Sequence, residues 1–278
     1  MVNEAVILAG GLGTRMMPAN FYCPKEFLPL LGVPVMHHLV WEVMAAGVEV
    51  IHIVVSPEKR AFAEQMVRGR GDLGAFLGEM ESFHIDPIPE DICCKIHIQE
   101  KPLGVGDAIS IACGDISGAF LVLLGDNAMI DPNNVNNIGQ MSGCLASKIL
   151  VQRFEETGSP CVGAILVDPS SASNYGIIEL ENGCFARVIE KPEFGEQPTN
   201  LALCGRYVFP KNSSQLLKEV RNEDRLELQS VDFLNELSNM GKVEVVKLEN
   251  IEWVDAGNIE SWYTSELSIF QRSGLRRF

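Results

Sequence analysis

The sequence predicts an α/β fold: a doubly wound, mostly parallel sheet extended to a mixed one. Three observations point there. Short apolar runs alternate with helical stretches through the first half of the chain. The first of these runs ends directly in glycines. After Asp126, strand-like segments follow in quick succession before more helix. Strands alternating with helices build a parallel sheet covered on both faces, whereas closely spaced strands pair antiparallel.

The elements follow in order. Ala5-Val6-Ile7-Leu8-Ala9 is apolar throughout and runs into Gly10-Gly11, the pattern of a strand buried on both faces. Val35 to Ala46 reads as a helix stopped by Gly47. Val50 to Val55 is the next strand and Pro57 to Arg68 the next helix. Lys95 to Ile98 is a strand, Gly106 to Cys113 a helix, and Phe120 to Leu124 a third buried strand. Strands near Val162–Val167, Gly176–Leu180 and Arg187–Glu190 read as antiparallel elements on the edge of the same Rossmann-like sheet. Glu252 to Val254 is a short strand before a last helix, and Gly69 to Pro89 reads as an insertion. No linker or internal repeat divides the chain, so one domain over residues 1–278 is expected.

Composition narrows the function. A chain of 278 residues can bury a core without disulfides or a structural metal. With 46% hydrophobic and 21% charged residues it is neither disordered nor collagen-like. Lys and Arg number 22 against 37 Asp and Glu, a net charge of −15, which repels nucleic acid and anionic membrane and makes neither a partner. A small polyanion would need a local basic pocket or a divalent cation. The N-terminus lacks a basic secretory region, and the longest apolar runs, such as Ala119 to Leu124, fall far short of a membrane span. The eight cysteines are scattered without zinc-binding spacing and read as reduced thiols of a cytoplasmic protein. His37, His38, His52, His84 and His97 have no Cys or carboxylate at ligand spacing and read as structural.

The first strand runs into Leu8-Ala9-Gly10-Gly11-Leu12-Gly13-Thr14-Arg15. A glycine-rich turn at the carboxyl end of a parallel strand is where open α/β sheets bind phosphates, because backbone N–H groups can close on the oxygens. No Gly-Lys-Ser/Thr closes this loop, so it is not a P-loop. Met16 stands where the dinucleotide fingerprint needs its third glycine, which argues against a nicotinamide-dependent dehydrogenase. Arg15 and, after Pro24, Lys25-Glu26 flank the turn instead, and two cations suit a triphosphate better.

These residues resemble the signature of sugar-1-phosphate nucleotidyltransferases, and within them the bacterial-type UTP:glucose-1-phosphate uridylyltransferases. The match continues in order through Gln99 with Gly104-Val105-Gly106-Asp107-Ala108, Gly125-Asp126-Asn127, Asn174-Tyr175-Gly176 and Glu190-Lys191-Pro192. It goes on through Asn200 to Val208, Glu227 to Asp232, and Val254-Asp255-Ala256-Gly257-Asn258. The resemblance implies a nucleotidyltransferase fold with a nucleotide-binding half at about 1–130 and a sugar-phosphate-binding half at about 131–278. It implies transfer of UMP from UTP to glucose 1-phosphate, giving UDP-glucose and pyrophosphate. Arg15, Lys25 and Asp126 would be catalytic. Leu8, Ala9, Gly10, Gly11, Gly13, Glu26, Gln99 and Gly104 would hold the nucleotide, and Gly176, Glu190 and Lys191 the sugar phosphate. Asp126 and Asp255 would hold Mg²⁺, which takes one or two carboxylates plus substrate oxygens. A homo-oligomer, dimer or tetramer, is expected. Asn127 stands where many such uridylyltransferases carry Asp, whereas Gly-Asp-Asn is familiar from thymidylyltransferases. The choice between UTP and dTTP, and the hexose, therefore stays open at this point. A catalytically idle sugar-nucleotide sensor on the same fold is a further alternative.

Overall fold

The structure is a computed structural model, and it describes residues 1–68, 88–131, 144–213 and 230–272. The proposed insertion at 69–89 therefore falls almost wholly outside the described residues, as does the start of the 227–232 motif.

The first half builds a parallel sheet. The strands β1 (Glu4–Ala9), β4 (Val50–Val55), β5 (Cys93–Ile98) and β6 (Phe120–Leu124) alternate with the helices α1 (Val35–Ala45), α2 (Arg60–Arg68) and α3 (Val105–Ala112). A two-strand ribbon, β2 (Pro29–Leu30) and β3 (Val33–Pro34), precedes α1. β1 pairs in parallel with β4 on one side and β6 on the other, and β4 pairs in parallel with β5. The chain thus winds outward from β1 in both directions. The crevice beyond the carboxyl ends of β1 and β6 is a topological switch point, where open α/β sheets bind ligands.

The alternation along β1 explains why both faces are covered. Ala5, Ile7 and Ala9 pack with Met36, Leu39, Val40 and Val43 of α1. Val6 and Leu8 pack on the opposite face with Ala108, Ile109 and Ala112 of α3. Each large aliphatic side chain buried in this way stabilises the fold by about 1.5–3 kcal/mol.

The second half extends this sheet to nine strands among the described residues. It comprises β7 (Asn127–Ile130), α4 (Ala146–Thr157), β8 (Cys161–Leu166), β9 (Gly176–Glu181), β10 (Cys184–Glu190), β11 (Leu201–Phe209), α5 (Ser230–Met240), β12 (Glu244–Lys247), β13 (Glu252–Asp255) and α6 (Ile259–Arg272). The expected antiparallel extension is present: β11 pairs antiparallel with β6, β8 and β9, and β9 with β10. One long-range pairing matters most for the site. β13 returns to pair antiparallel with β7, placing Asp255 opposite Asn127. Among the described residues, no helix is long and apolar enough to cross a membrane.

Candidate active site

β1 ends at Ala9, and the chain turns through the glycines into a 3-10 turn, Thr14–Met16, that carries an exposed Arg15. Gly13 stands in the left-handed region at φ 65°. Leu8 and Ala9 are buried at the strand end below the loop. Two side chains not singled out from the sequence hold this loop. Asn20 donates from Nδ2 to Leu12 O at 2.8 Å and accepts from the Lys25 N–H at 2.7 Å, joining the loop to the Pro24-Lys25 segment. The Lys59 Nζ donates to Ala9 O at 2.8 Å, to Gly11 O, and to both Glu26 oxygens at 3.0 Å. Glu26, expected from the sequence to contact the nucleotide, supports the loop through Lys59, from which both of its oxygens accept. Burial pushes the Glu26 carboxyl up from the usual carboxylate range, even with the Lys59 and Lys25 charges opposing.

The acids converge above this floor. Lys25, almost fully buried, donates to Asp126 Oδ2, and Asn127 donates from Nδ2 to Asp126 Oδ1 at 2.9 Å. The Trp253 indole N–H in turn donates to Asn127 Oδ1 at 2.7 Å. Asn127 therefore orients Asp126 and is itself oriented by Trp253. Its amide thus joins Trp253 to the acid site. A Cβ placed on Gly257 would lie 2.9 Å from Asp255 Oδ1, 3.2 Å from Asp126 Oδ2 and 3.2 Å from Arg15 Nη2. Both acids and the guanidinium thus face one small space that only a glycine leaves open. Each carboxylate oxygen keeps a lone pair beyond its hydrogen bond. That donor set fits a hard divalent cation sharing the remaining positions with phosphate oxygens.

The two acids are tuned in opposite directions. Burial raises the Asp126 carboxyl, but the Lys25 ammonium and Arg15 outweigh it and hold Asp126 below the usual range. Burial and the neighbouring Asp126 charge hold Asp255 above it, against the Gly257 N–H, which donates to Asp255 Oδ1 at 2.8 Å. A carboxyl whose folded pKa lies above its unfolded one destabilises the fold at neutral pH, and the loss is relieved as pH falls into the acid range. Asp255→Asn keeps the acceptor for Gly257, so it is expected to raise the melting temperature of the metal-free protein at pH 7. A lower melting temperature would show that burial and the Asp126 charge do not disfavour the ionised Asp255 in this way.

Gln99 follows β5 and leans across the glycine turn: a Cβ on Gly10 would overlap its Oε1. Its Nε2 donates to Gly104 O at 3.1 Å and Asp107 Oδ2 at 2.9 Å. Both amide hydrogens are thereby used, and Oε1 is the atom turned toward the loop. Gly104, at φ 93°, precedes α3 and lets the chain turn back to meet this amide.

The remaining candidates sit one step away. Gly176 and Glu190 are register partners, and the Glu190 carboxylate lies 3.0 Å from where a Gly176 Cβ would stand. Lys191 is held at φ 45°, with its N–H donating to Tyr175 O at 3.0 Å. Such a backbone costs of order 1–3 kcal/mol and tends to occur at functional sites. Tyr175 packs on Trp253 with ring centroids 4.6 Å apart, which couples this segment to Asn127 and Asp126.

The arrangement can accept phosphates at a glycine turn, place cations beside them and hold a metal opposite. A sequence model of the family described as Nucleotidyl transferase matches residues 4–272. This chain belongs to the nucleotidyl transferase family. A UTP–glucose-1-phosphate uridylyltransferase of Staphylococcus saprophyticus is 31% identical over 92% of this chain and 88% of that protein. A UTP-bound UGPase structure from Acinetobacter baumannii superposes with a TM-score of 0.82 at 26% identity, covering 96% of this chain and 93% of that one. A UDP-glucose pyrophosphorylase complexed with UDP-glucose gives 0.78 at 25% identity, covering 98% and 100%. The nucleotidyltransferase assignment rests on the family match together with these relatives.

Proposed function

We propose that this nucleotidyltransferase condenses UTP with glucose 1-phosphate to give UDP-glucose and pyrophosphate, with Mg²⁺ held by Asp126 and Asp255. The observation that carries the reading is the convergence of Arg15, Asp126 and Asp255 on the space above Gly257, beside the glycine turn and Lys25. A phosphate oxygen of glucose 1-phosphate attacks the α-phosphorus of UTP. The bond from that phosphorus to the bridging oxygen breaks, and pyrophosphate leaves with the electron pair. When bound, Mg²⁺ supplies positive charge shared by the two polyanions. Arg15 and Lys25 stabilise charge on the leaving group, and loss of either is expected to raise the barrier by roughly 3–4 kcal/mol. The glycine turn positions the phosphates. Gln99 Oε1 accepts from the imide N–H of uracil. Glu190 accepts from sugar hydroxyls over Gly176, where the backbone can approach, and Lys191 pairs with the sugar phosphate.

Pyrophosphate release from UTP or dTTP with glucose 1-phosphate and Mg²⁺ tests the assignment. UTP is expected to be the better substrate. A preference for dTTP would overturn that part, and no turnover with either would favour an idle sugar-nucleotide sensor. In the same assay Lys191→Ala is expected to raise the KM for glucose 1-phosphate about tenfold or more, in line with a charged hydrogen bond worth about 1.5–3 kcal/mol. Equal losses for both substrates would dissolve this division of the pocket. The same reading makes the enzyme a cytoplasmic dimer or tetramer, which light scattering on the purified chain would contradict by finding a monomer.

A further inference from the structure

A second cluster of ligating groups lies on the α3 face of the parallel sheet. His52 interrupts the apolar run of β4 and is 0% exposed. Internal parallel strands are ordinarily apolar throughout, and a buried imidazole needs partners. The register sets His52 opposite Lys95 and Val54 opposite His97, so His52 and His97 project from the same face of neighbouring strands. Their rings stack with centroids 5.1 Å apart, and His52 Nδ1 lies 2.9 Å from His97 Nε2. These residues, isolated in the sequence, are therefore brought together by the fold.

The surroundings are built as well. His52 Nε2 lies 3.3 Å from Glu4 Oε2, and the other Glu4 oxygen accepts from the Ser117 N–H at 2.8 Å and hydroxyl at 2.6 Å. A carboxylate on one ring nitrogen fixes the tautomer and leaves the other nitrogen with its lone pair, the arrangement found behind metal-bound histidines. Asp115, on the 3-10 turn after α3, brings a carboxylate oxygen within 4.8 Å of a ring nitrogen of each histidine.

We propose that His52, His97 and Asp115 form a second metal site, for a divalent first-row transition ion of the zinc class. Two imidazoles and one carboxylate suit such an ion, whereas Mg²⁺ prefers oxygen ligands alone. Zinc bonds of about 2.0–2.2 Å require the Asp115 carboxylate to swing inward, which its exposed position allows. Glu4 and Asp115 together outweigh the nearby Lys95 charge. A bound ion would clamp β4, β5 and the turn after α3. It would lie two residues before Gln99, bracing the strand end that carries the amide. The competing account is a single proton shared between the two rings.

The test uses the full chain in excess Mg²⁺, so that Asp126 and Asp255 are filled. Co²⁺ is titrated with detection by its visible d–d absorption, and Zn²⁺ by calorimetry. One equivalent of each is expected to bind. His97→Ala is expected to abolish binding and Asp115→Ala to weaken it about tenfold or more, while Glu4→Gln weakens it about 10–100-fold as loss of an outer-shell partner does. Asp115 is exposed, so its variant keeps the test sound if a buried one fails to fold. Absence of Co²⁺ binding would leave only the shared proton and overturn the proposal. Binding unchanged in Asp115→Ala and His97→Ala, or thiolate charge-transfer absorption from the exposed Cys93 or Cys184, would do the same.

Discussion

Asp126→Asn is expected to lower turnover by roughly a thousandfold or more while the protein stays folded, because metal charge stabilisation is worth several kcal/mol of barrier. Asn has the same shape but one acceptor oxygen and no charge. Its amide nitrogen would oppose one of the present donors, Lys25 or Asn127. The stability effect has a definite sign. Asp126 is held below the ordinary carboxylate range, so its ionised form stabilises the fold at neutral pH, and this contribution fades as pH falls through the folded pKa. Asp126→Asn should therefore melt somewhat lower than the parent, opposite to Asp255→Asn. Steady-state pyrophosphate release and circular dichroism read the two effects separately. A rate near that of the parent in saturating Mg²⁺ would remove Asp126 from the metal site.

Arg206→Met is expected to cost about 3–5 kcal/mol of stability, because it strands a buried partner charge. Arg206 is 0% exposed and Glu42 1%. The guanidinium donates from Nε and Nη2 to the two Glu42 oxygens at 2.8 Å each, and from Nη2 to Asn127 O at 2.6 Å. Ser147 donates a further hydrogen bond to Glu42. The pair fastens β11 to α1 and to the first residue of β7, beside Asp126. Set against a typical total of about 5–15 kcal/mol, the loss is large. Urea unfolding of the single variant and of Glu42→Leu/Arg206→Met separates the stranded charge from lost packing. The double variant should recover part of the loss. A single-variant loss under about 1 kcal/mol would mean that the pair is not desolvated as the structure has it.

The parallel half was legible because its signals are local. The runs in β1 and β6 are apolar over consecutive residues, β4 is apolar but for His52, and the glycine turn and Asp126 sit at strand ends that such patterns mark. What was not legible depends on contacts distant in the chain. Trp253 and Asn127 are 126 residues apart, and their hydrogen bond exists only because β13 lies in register on β7. A slip of one residue would turn Asp255 to the other face, yet nothing local to Glu252-Trp253-Val254-Asp255 specifies that partner. Glu26 invited a ligand role through its place after Lys25. Its engagement by Lys59, 33 residues on, was hidden for the same reason. The contact of the Asn127 amide with Trp253 is long-range in the same way. His52 and His97 looked solitary because parallel pairing, not spacing, unites them.

The most direct measurement is a crystal structure of this chain with UDP-glucose and Mn²⁺, in which anomalous scattering locates the ion. The account predicts a peak bonded by both Asp126 and Asp255, with the diphosphate beside Gly10 and Gly11. A peak away from that pair, or a nucleotide bound elsewhere on the sheet, would contradict it.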